Sequence, residues 1–460
     1  VHLHLTTSFQ LSKSFADQSH KNQFQYFYYL SYLKKITMNN SRRRFMRNAG
    51  LSIGAVSLFD FSLFAGQNET NEQQKQFHDF NSETDYWEWV RQSYTVSSNI
   101  TNLNNGGVSP QPKVVQDVFE QYNRLSNEGP SYYMWRILDK GREAVRQNLA
   151  ELAGVTSEEI AIQRNATECL DTIIFGLNLE KGDEVIVTNY DYPNMRNAWL
   201  QREKRDGIKL IWISIPVGVE EDDALVKLFT DAITSKTKII HITHIINWTG
   251  QILPAKKIAA KAHEKNIEVV LDAAHSFAHL NFSFKDLDVD YAGTSLHKWL
   301  CAPFGTGMLY IKKEKIASIW PIFPNDKPES EDIKKFEALG TRSFPAEMAV
   351  GRAISFHNSI GAERKQERLK FLQQYWINKV KHHPKIKFYT PLGAGSCAIA
   401  TVGIEGLQAN EIESKLFEKR GIHTVAIIWE GVNGIRITPH VYTNTNDLDN
   451  LVEGLLEIAG

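Results

Sequence analysis

Several short runs of this chain are apolar throughout rather than at every second position. EVIV at 184–187, IKLIWIS at 208–214, KIIHITHII at 238–246, EVVLD at 268–272 and GMLYIK at 307–312 are the strand-like runs. A strand apolar on both faces of its pleat must be covered on both, which is the condition of a parallel sheet packed between helices. Helix-like stretches alternate with these runs at 111–127, 141–153, 168–179 and 254–265. Leu170, Ile173, Ile174 and Leu177 have helical spacing, and Pro254 stands early, where a missing N–H costs nothing. The pattern predicts an α/β fold with a mostly parallel central sheet over residues 111–345. A second, smaller α/β domain is expected at 346–460. It opens with one long charged helix over 346–380 and continues through IKFY at 386–389, SCAIATVG at 396–403, a helix at 409–419, strands at 423–427 and 434–437, and a closing helix at 446–458. Two domains suit 460 residues.

The first 80 residues read differently. SRRRFMR at 41–47 precedes an apolar run of about 17 residues that carries Asp60, short of the ~20 a membrane span needs. Residues 38–66 therefore read as an export signal of the twin-arginine type, a route for proteins folded in the cytoplasm with their cofactor loaded. A periplasmic or exported location and an encounter with the twin-arginine export machinery are the expectation, with no stable transmembrane segment. Met38 lies just before the motif, so residues 1–37 read as a non-native upstream extension. Residues 67–84 are polar and read as a linker, and 85–110 as an N-terminal segment ahead of the large domain.

A formal net charge of -1 gives no global reason to expect nucleic acid or an acidic membrane as partner. The three cysteines, Cys169, Cys301 and Cys397, are scattered without metal-like spacing and read as buried thiols; no metal site is expected.

Four pieces sit where strands of such a sheet should end, the place where ligands bind in open α/β sheets. RNATECLD at 164–171 brings Asn165, Ala166 and Thr167 to a helix N-terminus, a seat for phosphate, though Thr167 could equally serve as a simple cap. In VVLDAAHSFAH at 269–279, Asp272 ends an apolar strand, where a carboxylate needs a partner such as a pyridinium N–H. His275 follows three residues on. In YAGTSLHKWLCAPFGTG at 291–307, Lys298 follows Ser295 and His297; partial desolvation there would free its amine for a Schiff base. Arg436, within the short strand IRI, needs an anion, and an amino-acid carboxylate or an internal salt bridge would each supply one.

NATE at 165–168, DAAH at 272–275, SLHKW at 295–299 with GTG at 305–307, FEALGT at 336–341 and GIRITPHVY at 434–442, in this order, resemble the class V aminotransferase family of fold-type I pyridoxal-phosphate (PLP) enzymes. The text is most similar to the isopenicillin N epimerase-like and cysteine desulfurase-like branch. The resemblance implies PLP on Lys298, Asp272 at the pyridine nitrogen and His275 near the ring hydroxyl. It implies Asn165, Ala166, Thr167, Ser295 and His297 around the phosphate, and Asn247 at the cofactor hydroxyl or the substrate. Tyr190, with Tyr192 in reserve, matches the position of the ring-stacking residue. Thr341 would reach a phosphate in the neighbouring subunit, which implies a homodimer with shared active sites. Arg436 would take the substrate carboxylate, with Asn104, Asn105 and Gly106 at the entrance.

The desulfurase branch carries a catalytic cysteine in the loop that here reads GIHTVAIIWEGVNGI at 421–435, with no cysteine. The expected activity is therefore an aminotransferase acting on a small-molecule amino-acid substrate through Lys298 as Schiff-base lysine and proton carrier. An epimerase or a C–S or β-lyase is the alternative, and a non-catalytic PLP-fold binding protein a further one. The side chain of the substrate is not legible.

Overall fold

The computed structural model describes residues 82–393 and 395–460. The arginine motif, its apolar run and everything upstream lie outside that range, as does most of the 67–84 linker. The described strands in chain order are β1 (Thr101–Asn102), β2 (Ile160–Gln163), β3 (Glu184–Thr188), β4 (Lys209–Ile213), β5 (Thr237–Thr243), β6 (Glu268–Asp272), β7 (Tyr291–Ser295) and β8 (Gly307–Ile311). They continue as β9 (Ile386–Phe388), β10 (Ala400–Ile404), β11 (Ile422–His423), β12 (Val425–Trp429) and β13 (Val432–Ile437).

The large sheet has the order β2-β8-β7-β6-β5-β3-β4. Strands β4, β3, β5, β6 and β7 pair in parallel, and only β8 runs against its neighbours β7 and β2. The apolar runs explain the arrangement. Val269, Val270 and Leu271 of β6 are fully buried at the sheet centre, and each such side chain contributes roughly 1.5–3 kcal/mol by leaving water. Strand β7 carried no apolar signal because it must be thin. A Cβ on Gly293 would lie 2.8 Å from Leu170 Cγ and 2.9 Å from Cys169 Cβ, so glycine lets the helix Ala166–Gly176 rest on the sheet.

The smaller lobe is a four-stranded antiparallel sheet, β12-β13-β10-β9. Leu372, Trp376, Val402, Ile435 and Leu451 fill its core. Strand β1 crosses to it and pairs in parallel with β11.

The single long helix expected over 346–380 is two helices, Phe344–Ile360 and Ala362–Val380. Gly361 breaks them at φ 88°, a left-handed backbone that glycine alone adopts freely. The first buries Ala346, Ala349, Val350 and Ala353 against the helices Lys113–Glu128 and Asp139–Ala153 of the large lobe. The second packs on the C-terminal helix Thr445–Ala459. The run at 238–246 also stops being strand at Thr243, after which the chain turns and presents Asn247. No described helix is long and apolar enough to cross a membrane.

Candidate active site

Three neighbouring strands end at one cavity. Strand pairing places Thr243 of β5 beside Asp272 of β6, and Asp272 beside Gly293 of β7. The cavity, about 350 Å³, is lined there by Thr243, Asp272, His275, Ser295, His297 and Lys298.

Asp272 is buried and accepts from the backbone N–H of Ala274 at 2.9 Å. Burial pushes its carboxyl above the usual range; the Ala274 N–H, His241 and Lys298 pull it partly back. Lys298 sits in the tight turn after β7, open on one side to the cavity. Enclosure by protein lowers its ammonium from 10.5 to about 8, with Arg436 pushing the same way and Asp272 opposing. The amine is thus far more available than a surface lysine's near neutral pH. Its Nζ lies 3.1 Å from His275 Nε2. Burial and the nearby Lys298 charge hold His275 neutral, well below its ordinary titration range.

The helix Ala166–Gly176 opens onto the same cavity. Asn165, not Thr167, caps it: its Oδ1 accepts from Glu168 N at 2.9 Å. Ala166 N donates to Ser295 Oγ at 2.9 Å, which ties the helix start to the end of β7. Thr167 lines the cavity with Asn165 and Ala166. A Cβ on Gly307 would stand 2.6 Å from Asn165 N, so β8 approaches this helix start only because it begins with glycine. Positive partial charge at a helix N-terminus suits a phosphate.

The smaller lobe supplies Arg436, buried on β13. Its Nη1 donates to the Asn247 carbonyl at 3.1 Å and its Nη2 to Asn104 Oδ1 at 2.9 Å. Both partners are neutral amide oxygens, and the Arg436 Nε and Asn247 Oδ1 are buried without a partner. The internal salt bridge weighed for Arg436 is not what its fork touches. Burial lowers its pKa to about 10. A buried guanidinium with a free donor is a site prepared for an anion.

The remaining expected residues divide between the cavity wall and its surroundings. Tyr192, the reserve choice, lines it, whereas Tyr190 does not. Tyr190 is buried and its hydroxyl donates to the Glu430 carbonyl at 2.9 Å, tying the large lobe to the smaller one. Between them Asp191 is fully buried and accepts from Thr188 N, Thr188 Oγ1 and Thr243 Oγ1 at 2.7–2.9 Å. That carboxylate fixes the turn that sends the two tyrosines different ways. Asn105 is fully buried and spends its side chain on Asn102, Thr438 and Tyr442. Gly106 and Gly107 line the cavity instead. Thr341 is exposed and is not among the residues lining this chain's cavity. The sequence reading missed Gly107, Leu170, Met195 and Thr243 as cavity residues; the run at 238–246 reads as strand throughout, so nothing in it marks Thr243 as a strand end. All three cysteines are buried, and none lines the cavity.

Fold and cavity together define an α/β enzyme whose part-desolvated lysine and buried carboxylate stand at neighbouring strand ends. Residues 101–451 match the model of the aminotransferase class-V family, and the chain belongs to that family. Isopenicillin N epimerase from Amycolatopsis lactamdurans is 24% identical over 393 residues, 81% of this chain and 98% of that relative. A probable cysteine desulfurase from Synechocystis sp. is 25% identical over 400 residues, 80% of this chain and 94% of the relative. Among solved structures, the cystine C–S lyase C-DES with its product cysteine persulfide superposes with a TM-score of 0.70 at 24% identity, covering 78% of this chain and 97% of the other. A C-DES mutant with glycine covalently linked to its PLP cofactor gives 0.72 at 22%, covering 79% and 98%. These superpositions establish the fold.

Proposed function

We propose that the cavity holds PLP and that the chain is an enzyme acting on the amino group or Cα of an amino acid, with amino-group transfer as its activity. The observation that carries this is Lys298, an amine with a pKa lowered to about 8, in one cavity with a buried Asp272. The residues fit the cofactor. Asp272 would hold the pyridine nitrogen, and the Ala166–Thr167 helix start with Ser295 and His297 would hold the phosphate. His275 and Asn247 would stand near the ring hydroxyl, and Tyr192 supplies the aromatic side chain in the lining. Bound through its carbonyl carbon, PLP supplies an electron sink for charge developing at Cα.

The chain's own residues do the rest. Arg436 orients the substrate carboxylate through its planar fork and its free Nε–H. Lys298 Nζ, neutral in useful amount near pH 8, removes the Cα proton. With PLP held in the cavity, the same Nζ would stand ready to return that proton, so one base would suffice for transfer. His275, neutral through burial, donates or accepts without adding charge.

A second reading rests on Tyr192. Epimerisation needs a proton donor on the opposite face, and Tyr192, which lines the cavity, carries a hydroxyl that would serve as one. The similarity to isopenicillin N epimerase supports the same alternative. A thiol-dependent desulfurase reading draws on the similarity to a probable cysteine desulfurase, but none of the three cysteines lines the cavity. A C–S or β-lyase that needs no thiol remains the third reading. A PLP-binding protein without turnover is the fourth reading, and turnover of an amino acid separates it from the others.

Incubation of the PLP-loaded chain with an amino-acid panel in deuterated water separates these readings. Keto acid release with conversion to the pyridoxamine form is the expected result. Deuterium at Cα with loss of chirality would establish epimerisation, and pyruvate or ammonia without the pyridoxamine form a lyase. A chain that takes up no PLP would overturn the cofactor assignment.

We further propose a homodimer in which Thr341 reaches the partner's phosphate, and export through the SRRRFMR motif. Sedimentation tests the first. Replacing Arg42 and Arg43 by lysine tests the second, since the chain should then stay in the cytoplasm.

A further inference from the structure

The indole of Trp299, next to Lys298 in sequence, points away from the cavity into the protein. It is fully buried, stacked on His279 at 3.8 Å between centroids and on His440 at 5.5 Å. Its backbone carbonyl accepts from the fully buried Lys365, on the helix Ala362–Val380. With so many contacts the ring has one position, and in that position Nε1 donates to His275 Nδ1 at 3.4 Å.

The consequence follows from donor chemistry. Indole N–H only donates, so His275 Nδ1 must accept. A neutral imidazole that accepts at Nδ1 carries its proton at Nε2. That Nε2–H faces Lys298 Nζ at 3.1 Å. An ammonium has donors and no lone pair, so it meets the Nε2–H head-on; a neutral amine accepts from it. We infer that Trp299 is a positioning residue that locks the Nε2–H tautomer of His275 and thereby favours the neutral, nucleophilic amine of Lys298. This inference rests on the reading of Lys298 as the reactive amine.

Other groups act on the same pair. Asp272 and Arg436 face Lys298, and His297 adjoins it. Arg436 and His279 face His275. Asp272 alone favours the ammonium of Lys298. The His279 ring cannot relay a proton to His275, because its Nδ1 is occupied by the His275 carbonyl at 2.8 Å and its Nε2 by Ala398 N at 3.0 Å.

The test uses the cofactor-free full chain and measures the rate of PLP capture against pH in four proteins: wild type, Trp299→Phe, His275→Asn and the double variant. Phenylalanine keeps an aromatic ring in the stack, at smaller volume, and removes the N–H. The capture midpoint should rise by about half to one pH unit in Trp299→Phe, the effect of one modest hydrogen bond. In the His275→Asn background the same change should move nothing, because the tautomer it sets is gone. An equal shift in both backgrounds would mean packing alone and would overturn the inference, as would no shift in either. A wild-type chain that captures no PLP would overturn the reading of Lys298 and this inference with it. If Trp299→Phe does not fold, 15N imidazole shifts of the wild-type chain decide, with His275 assigned by its loss in His275→Asn. The Nε2–H tautomer is expected; the Nδ1–H tautomer or an imidazolium would overturn the inference.

Discussion

The two walls of the cavity are built in different ways. The large-lobe wall is local: Asp272, His275, Ser295 and Lys298 lie within 27 residues, at the ends of two adjacent strands. The small-lobe wall is remote: Arg436 and its partner Asn104 are 332 residues apart in sequence. Their electrostatics differ too. Asp272 and Lys298 oppose each other's pKa shifts, so the first wall is partly compensated from within. Arg436 has only amide oxygens and an unpartnered Nε–H, so the second wall waits for charge from outside. The first wall suits a resident cofactor, the second a visiting anion.

The largest effect should come from the first wall. Lys298→Ala should remove the borohydride-sensitive absorbance of the PLP-loaded chain and lower turnover by about three orders of magnitude or more, since nucleophile and base are lost together. Stopped-flow and steady-state assays check this. Retention of the absorbance band in Lys298→Ala would erase the distinction between the walls.

Arg436→Gln should act on the second wall alone. Loss of a charge-assisted contact is worth about 1.5–3 kcal/mol, or roughly 10–100-fold in KM for the amino acid, with a smaller change in kcat. PLP affinity should stay near the wild-type value. A kcat loss with unchanged KM would move Arg436 from carboxylate binding to chemistry.

The contrast also decides what the sequence could reveal. Asp272 was legible because an apolar run ends in a lone carboxylate, and Lys298 because a hydroxyl, a histidine and a glycine-bearing loop surround it. Apolar runs also disclosed the central sheet. Strand β7 stayed hidden because its small residues make room for a helix, a constraint visible only in three dimensions. The break at Gly361 stayed hidden because a single glycine between helix-like stretches is tolerated within one helix as readily as it ends one. Tyr190 and Tyr192 could not be ordered from sequence, because the buried Asp191 that divides them acts through Thr243, 52 residues away.

A smaller effect concerns stability. Burial takes Lys298 and Lys365 from 10.5 to about 8. Between those values the unfolded chain holds protons that the folded chain has released, so stability rises with pH in that window. Below about pH 8 both states are protonated and this contribution is flat. Urea unfolding of the cofactor-free chain should show a midpoint that climbs from pH 8 towards 10, less steeply in Lys298→Met. A midpoint flat across that range would mean that neither amine is enclosed as described.

The smallest effect separates the two tyrosines. Tyr190→Phe removes the hydrogen bond to the carbonyl of Glu430, an exposed residue that water can then reach, costing about 1 kcal/mol of stability. Because Tyr190 does not line the cavity, PLP affinity should hold. Tyr192→Ala should do the reverse: little change in stability at a side chain 40% exposed, and weaker PLP binding through loss of an aromatic surface. Denaturant midpoints and PLP titrations on both variants read the two effects independently. If Tyr190→Phe weakened PLP binding more than Tyr192→Ala, the ring would be served from the buried position, and the turn held by Asp191 would have to open for the cofactor to bind.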